Sequence, residues 1–276
     1  MFVLCVDLNV FLLLKNNLHL PHNHLNYNLN YDKTKLLSDM LDDNFYYGFM
    51  HKWAFSSSSI KLLLQSPKTY HNVMQYGSPE TQPLRDGFLV HLLILTPEYF
   101  EKQIFVDVQS KNTKKYKMAQ EEHGTVYTMK EKNDAERLAD AFFRNEPAMQ
   151  LIKGSKVEYP GVGIVQDKPF RGKADVLADN CIIDLKTTSD IRKFEKSAYW
   201  YSYDVQAYIY TEIFGVDNFQ FIVIDKSSCD IGISNYVSKD FIKSGRDKVA
   251  YALKVYEDYF ETEMTDLDAY YLDINL

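Results

Sequence analysis

Arg171-Gly172-Lys173-Ala174-Asp175-Val176-Leu177-Ala178, Asp179-Asn180, then Cys181-Ile182-Ile183-Asp184-Leu185-Lys186-Thr187-Thr188 is the stretch on which the reading turns. Two short runs rich in apolar and β-branched residues flank a pair of turn formers, which is the pattern of an antiparallel hairpin. Residues two apart in a strand face the same side, so Asp184 and Lys186 point together while Ile183 and Leu185 enter the core. If Asp179-Asn180 is a two-residue turn, Ala178 pairs with Cys181, and the register carries Asp175 opposite Asp184 on one face. Like charges placed cross-strand are unfavourable by a few tenths to about 1 kcal/mol. A site that keeps both carboxylates asks for a cation, and oxygen ligands suit Mg²⁺ or Mn²⁺.

Outward from the hairpin, Val157 to Val165 reads as a preceding strand, joined through Gln166-Asp167-Lys168-Pro169. A tyrosine-rich helix is expected from Phe194 to Phe214, closed by Gly215, then strands at Phe219–Asp225 and Ile231–Val237 and a last helix over Asp240–Phe260. Upstream, Ser56 to Ser59 caps a short helix that stops at Ser66-Pro67, a second runs from Pro83 to Leu95, and a third from Asn133 to Phe143. The fold class is α/β, with a central mixed β-sheet flanked by helices. We expect residues 1–32 to be a weakly structured N-terminal extension, 33–262 a single domain, and 263–276 an acidic tail.

The 276 residues are 46% hydrophobic and 14% aromatic, ample for a sizeable core, with a net charge of −7. That charge argues against a uniformly basic nucleic-acid coat protein but leaves local basic faces open. Three cysteines without C-x-x-C spacing give no zinc knuckle and too few thiolates for a four-cysteine iron–sulfur cluster. They read as reduced thiols, and the expected location is the cytoplasm. The apolar run Met1–Leu14 is shorter than a membrane helix and lacks a basic flank, so no membrane partner is expected.

A bare D-x-K is equally a surface hairpin with solvated charges, so context must decide. Taken in order, the context resembles the PD-(D/E)XK nucleases, and within them the RecE (exonuclease VIII) branch of phage recombination exonucleases. The resemblance covers about Ser56 to Phe260. It includes Ser66-Pro67-x-x-Tyr70, Gly87-x-x-x-His91, Gly172-x-x-Asp175, Ile183-Asp184-Leu185-Lys186-Thr187-Thr188 and Tyr203-Asp204-x-Gln206-Ala207-x-x-Tyr210. It implies a restriction-endonuclease-like nuclease core and Mg²⁺-dependent hydrolysis of duplex DNA from an end, with Mn²⁺ as substitute. It also implies 5′→3′ polarity, a homo-oligomeric ring around the DNA and a single-strand annealing protein as partner. A same-fold endonuclease or repair nuclease, and an inactive DNA-binding module, remain as alternatives.

The resemblance further distributes roles. Asp175, Asp184 and the Leu185 carbonyl are expected to hold the metal, and Lys186 to orient or deprotonate the attacking water. Glu158 stands where an additional acidic ligand is expected, although a solvated strand carboxylate is the alternative. His91 shares a helix face with Gly87 and is either a metal neighbour or a core histidine. Gln206 and Tyr210, four apart on one helix face, are expected beside the reaction centre, whereas Tyr199, Tyr201 and Tyr208 are assigned to the core. Lys111, Lys114, Lys115 and Lys117 either bind phosphates on the inner face of the ring or are solvated.

Overall fold

The structure, a computed structural model, describes residues 33–261 and 266–271. The expected extension over 1–32 lies outside them, as do 263–265 and 272–276 of the tail. Five strands form one mixed sheet in sequence order: β3 (Lys156–Val165), β4 (Lys168–Ala178), β5 (Cys181–Thr188), β6 (Asn218–Asp225) and β7 (Ile231–Ile233). Neighbours are antiparallel except β5 and β6, which run parallel. A parallel neighbour requires a crossover, and α9 (Phe194–Trp200) and α10 (Tyr203–Phe214) supply it. A separate two-stranded parallel sheet joins β1 (Phe105–Val106) to β2 (Tyr127–Thr128).

Strand β6 shows how the sequence builds the layers. Its Phe219, Phe221 and Val223 face one core, while Ile222 and Ile224 face the other, the period of two that a sheet buried on both sides demands. The first core is completed by Ile60 and Leu63 of α2 (Ser57–Gln65), Val205 and Ile209 of α10, and Val249 and Leu253 of α11 (Lys239–Tyr256). The second is completed by Leu89 and Ile94 of α4 (Gln82–Leu95) and by Leu138 and Phe142 of α7 (Met129–Arg144). A smaller cluster around Leu36, Met40, Tyr46 and Met50 packs on Val162 of β3. The remaining helices are α1 (Lys33–Asp39), α3 (Pro67–Tyr76), α5 (Pro97–Phe100), α6 (Lys114–His123) and α8 (Glu146–Ile152).

Several elements depart from expectation for local reasons. The β3–β4 turn uses only Gln166 and Asp167, both left-handed at φ 48° and 63°, as a two-residue hairpin of matching twist requires. Lys168 and Pro169 therefore belong to β4. The tyrosine-rich helix is two helices, broken where Ser202 adopts φ 52°. Lys248 holds that break, its ammonium donating to Tyr199 O, to Ser202 Oγ and to the buried Asp204. Because the helical register restarts there, Tyr199 and Tyr201 are exposed rather than in the core, and only Tyr208 of the three is buried. Strand β7 ends early because the Ser234 hydroxyl, in place of backbone, accepts from the Phe221 N–H. Helix α7 begins at Met129, four residues before expectation, under a capping box of Thr128 and Glu131.

Two features hold the site-bearing elements. Gly172 of β4 lies under α10, where a Cβ would come within 2.6 Å of the Tyr210 ring, so the helix sits closer to the sheet than any larger residue would permit. Buried Glu131 of α7 pins α4 through Arg85: Oε1 accepts from Arg85 Nε at 2.8 Å, Gln82 Nε2 at 2.9 Å and Lys111 Nζ at 2.8 Å. Its Oε2 accepts from the Thr128 N–H at 2.7 Å.

Candidate active site

The β4–β5 ladder holds three pairs, Ala178 with Cys181, Leu177 with Ile182 and Val176 with Ile183. The turn at Asp179-Asn180 and the register beside it are as expected, but the ladder stops one position before Asp175 would meet Asp184. Past Val176 the strands part. Leu185 is left with an N–H and a C=O aimed at the departed neighbour, and buried backbone groups must be paired. The Asp175 carboxylate accepts the Leu185 N–H at 2.8 Å. His91 Nε2 lies 2.9 Å from Leu185 O, a carbonyl that can only accept, so this nitrogen donates, and Nδ1 stands 3.5 Å from Asp175 Oδ2. The Leu185 carbonyl expected at the metal is thus engaged by His91.

Glu158 enters from β3. Its φ of 45° is left-handed inside a strand, a conformation that costs a residue with a Cβ roughly 1–2 kcal/mol. The β3–β4 ladder skips it: Val157 pairs with Val176 and Tyr159 with Ala174, with no pair between. The kink brings one ligand atom each from His91, Glu158 and Asp175 to within 4.8 Å of one another. Burial first, then the neighbouring Asp175 carboxylate, pushes Glu158 up to about 7. Burial also raises Asp175; Asp184 adds to this, and His91 and Lys186 oppose it. Two carboxylates raised by burial and by neighbouring carboxylates, with an imidazole nitrogen beside them, fit a divalent cation.

Asp184 is not one of those three. It is 1% exposed, and its Oδ1 accepts from Gln206 Nε2 of α10 at 2.7 Å. Its Oδ2 lies against the Lys186 ammonium as an ion pair. Lys186 Nζ donates to Gln206 Oε1 at 3.3 Å and stands 4.8 Å from the Tyr203 ring centroid. Burial alone would lower the Lys186 pKa, but Asp184 and Asp175 outweigh it and hold the ammonium protonated. Gln206 can bridge Asp184 and Lys186 because an amide offers both a donor and an acceptor. Tyr210 does something else: its hydroxyl donates to Lys173 O at 3.1 Å and accepts from the Lys173 N–H at 3.3 Å. It therefore fixes β4 two residues before Asp175.

Lys61 and Asp204 had no role assigned from the sequence. Asp204 is fully buried, receives Ser244 Oγ at 2.6 Å and pairs with Lys248 at 2.8 Å, so it anchors α10 to α11. Its signals were its place in the Tyr203-Asp204-x-Gln206 motif and a charge among largely apolar neighbours. Of the four lysines read as either phosphate contacts or a solvated run, Lys111 is engaged with Glu131 and Gln82, whereas Lys114, Lys115 and Lys117 are exposed on α6.

The profile of the PDDEXK-like domain of unknown function (DUF3799) matches residues 56–266. The chain belongs to this family. Its mixed α/β architecture is that of a PDDEXK-like nuclease fold, as the resemblance implied. The structure is similar to that of a candidate exonuclease from Eubacterium rectale, with TM-score 0.63 and 17% identity over 85% of this chain and 95% of that one. It also matches a phage-related exonuclease from Haemophilus somnus at 15% identity over 74% and 94% of the two chains, with TM-score 0.35. No curated protein matches the sequence at comparable significance. Among the described residues, no helix is long and apolar enough to cross a membrane.

Proposed function

We propose that this chain is a divalent-metal-dependent exodeoxyribonuclease that removes nucleotides from an end of duplex DNA. The observation that carries the reading is the break in the β4–β5 ladder. With the kink at Glu158, it gathers His91, Glu158 and Asp175 into one cluster and leaves the Asp184–Lys186–Gln206 group beside it. Asp175, Glu158 and His91, with Asp184 beside them, are the residues that would hold the ion, with Mg²⁺ as the working ion and Mn²⁺ as substitute. Such an ion supplies Lewis acidity and an acidified water. Lys186 contributes a fixed positive charge where the phosphodiester gains negative charge, and Gln206 holds that ammonium against Asp184. Tyr210 and Gly172 act further back, setting the height of α10 over β4.

End dependence, 5′→3′ polarity, a homo-oligomeric ring and an annealing partner in phage-type recombination belong to the same reading, supported by resemblance to RecE. The exonuclease name carried by the similar Eubacterium rectale structure agrees with it, and a bacterial host cytoplasm is the location it implies. With Mg²⁺, linear duplex should be degraded and covalently closed circular duplex left intact, and EDTA should stop the reaction. Gel analysis of both substrates is the test. Cutting of the closed circle would replace end dependence with internal cleavage, and full activity in excess EDTA would remove the metal from the mechanism.

A further inference from the structure

Beside Lys186 stands a second cation that the proposed reaction leaves without a role. Lys61 lies on α2, one turn past the Ser56 cap, and its ammonium stands 4.9 Å from the centroid of the Tyr203 ring. Lys186 stands 4.8 Å from the same centroid. Lys186 has Asp184 and Gln206 as partners. Lys61, only partly exposed, makes no hydrogen bond and no ion pair among the described residues. An aromatic ring attracts a cation but does not neutralise it. Burial, and then the neighbouring Lys186 ammonium, hold the Lys61 pKa down to about 8 against the opposing pull of Asp184 and Asp204.

The row of rings continues outward. Tyr201 stacks obliquely on Tyr203, with centroids 6.0 Å apart and planes at 34°. Tyr201 is 57% exposed and the adjoining Trp200 82%. These side chains project from the turn at Ser202 that interrupts the helix pair. Aromatics that adjoin one another at the surface, beside a reaction centre, are a surface a partner can cover. Here the partner must also bring negative charge to Lys61, at one ring's distance from the aromatic face. A nucleotide has that combination, a phosphate and a flat base joined by a sugar.

We propose that Lys61, Tyr203 and Tyr201 form a nucleotide subsite next to the reaction centre, in which Lys61 binds a backbone phosphate and the Tyr201 ring stacks on an unpaired base. The inference rests on the nuclease reading and deepens it: the site takes a strand already separated from its complement, because a base inside the duplex is covered on both faces by its neighbours and only an unpaired one can swing out to the ring. Binding there is sequence-tolerant, since every base has a π-face.

A short single-stranded oligonucleotide carrying 2-aminopurine tests the subsite, with binding measured in Ca²⁺ and again in EDTA. The proteins are the wild type, Tyr201→Ala, Lys61→Gln and Lys61→Arg, with urea unfolding as the control for folding. Tyr201→Ala should weaken binding about tenfold and abolish the stacking quench of 2-aminopurine. Lys61→Gln should lower the slope of log K against log salt by about 0.7, and Lys61→Arg should restore it. Wild-type affinity, quench and salt slope in both Tyr201→Ala and Lys61→Gln, with cleavage intact, would overturn the subsite and leave the nuclease reading standing. A wild-type protein that binds no strand in either condition and cleaves no DNA would overturn both.

Discussion

Lys186→Met should lower the single-turnover rate of DNA cleavage by about 10²–10⁴-fold while leaving Mn²⁺ binding largely intact. The range is that of removing one preorganised charge or proton-transfer group from a reaction centre. The two effects separate because the lysine is not among the clustered ligands His91, Glu158 and Asp175. Its ammonium instead faces Asp184 and Gln206. Asp175→Ala and Asp184→Ala should lose both readouts, since each removes a carboxylate from the place where the cation would sit. Calorimetric titration of Mn²⁺ into each variant, beside a cleavage time course, makes the comparison. A wild-type rate in Lys186→Met would take the lysine out of the reaction.

Glu131→Gln should destabilise the protein by about 3 kcal/mol, because it leaves Arg85 and Lys111 facing a neutral amide in a buried network. At about 2–4 °C per kcal/mol for a chain of this size, Tm should fall by roughly 6–12 °C. The effect has a pH signature. Burial alone would raise the Glu131 carboxyl, but hydrogen bonds from Arg85, Lys111, Thr128 and Gln82 outweigh it and hold the pKa well below its ordinary 4.5. The unfolded chain therefore binds the proton first as pH falls. The stabilisation is fully present above that ordinary value and is lost as pH drops toward the folded one. Urea unfolding at neutral pH and at about pH 3 should show the wild-type advantage over Glu131→Gln shrinking. An advantage that grows in acid would refute the assignment.

The hairpin was legible because a two-residue turn permits one register and the period of two puts Ile183 and Leu185 on the face opposite Asp184 and Lys186. The same logic carried too far when it extended the ladder to Asp175 and Asp184. Where strands part depends on what replaces the missing backbone partner, here the Asp175 carboxylate and the His91 ring, and His91 is 94 residues from Leu185 in sequence. The break at Ser202 was equally hidden, since neither glycine nor proline marks it and the lysine that holds it lies on another helix. Lys111, in the turn before α6, read as a free cation because Glu131, its counter-charge, is 20 residues away on α7. Local chemistry showed the elements. The pairings between distant elements did not show, and those pairings complete the site.

The left-handed backbone at Glu158 sets two kinds of selection against each other. A screen that rewarded thermal endurance alone, blind to cleavage, should drive position 158 to glycine. Glycine adopts that φ without a Cβ clash and removes a carboxylate whose burial is costly. The expected gain is about 1 kcal/mol, read as a higher urea midpoint for Glu158→Gly, together with a weaker Mn²⁺ titration. A lower midpoint would show that the kink is imposed by the side chain rather than endured by it. If the gain is found, glutamate at 158 marks a position where endurance has been traded for metal affinity, and a glycine there would identify a relative of this chain that keeps the fold and has lost the chemistry.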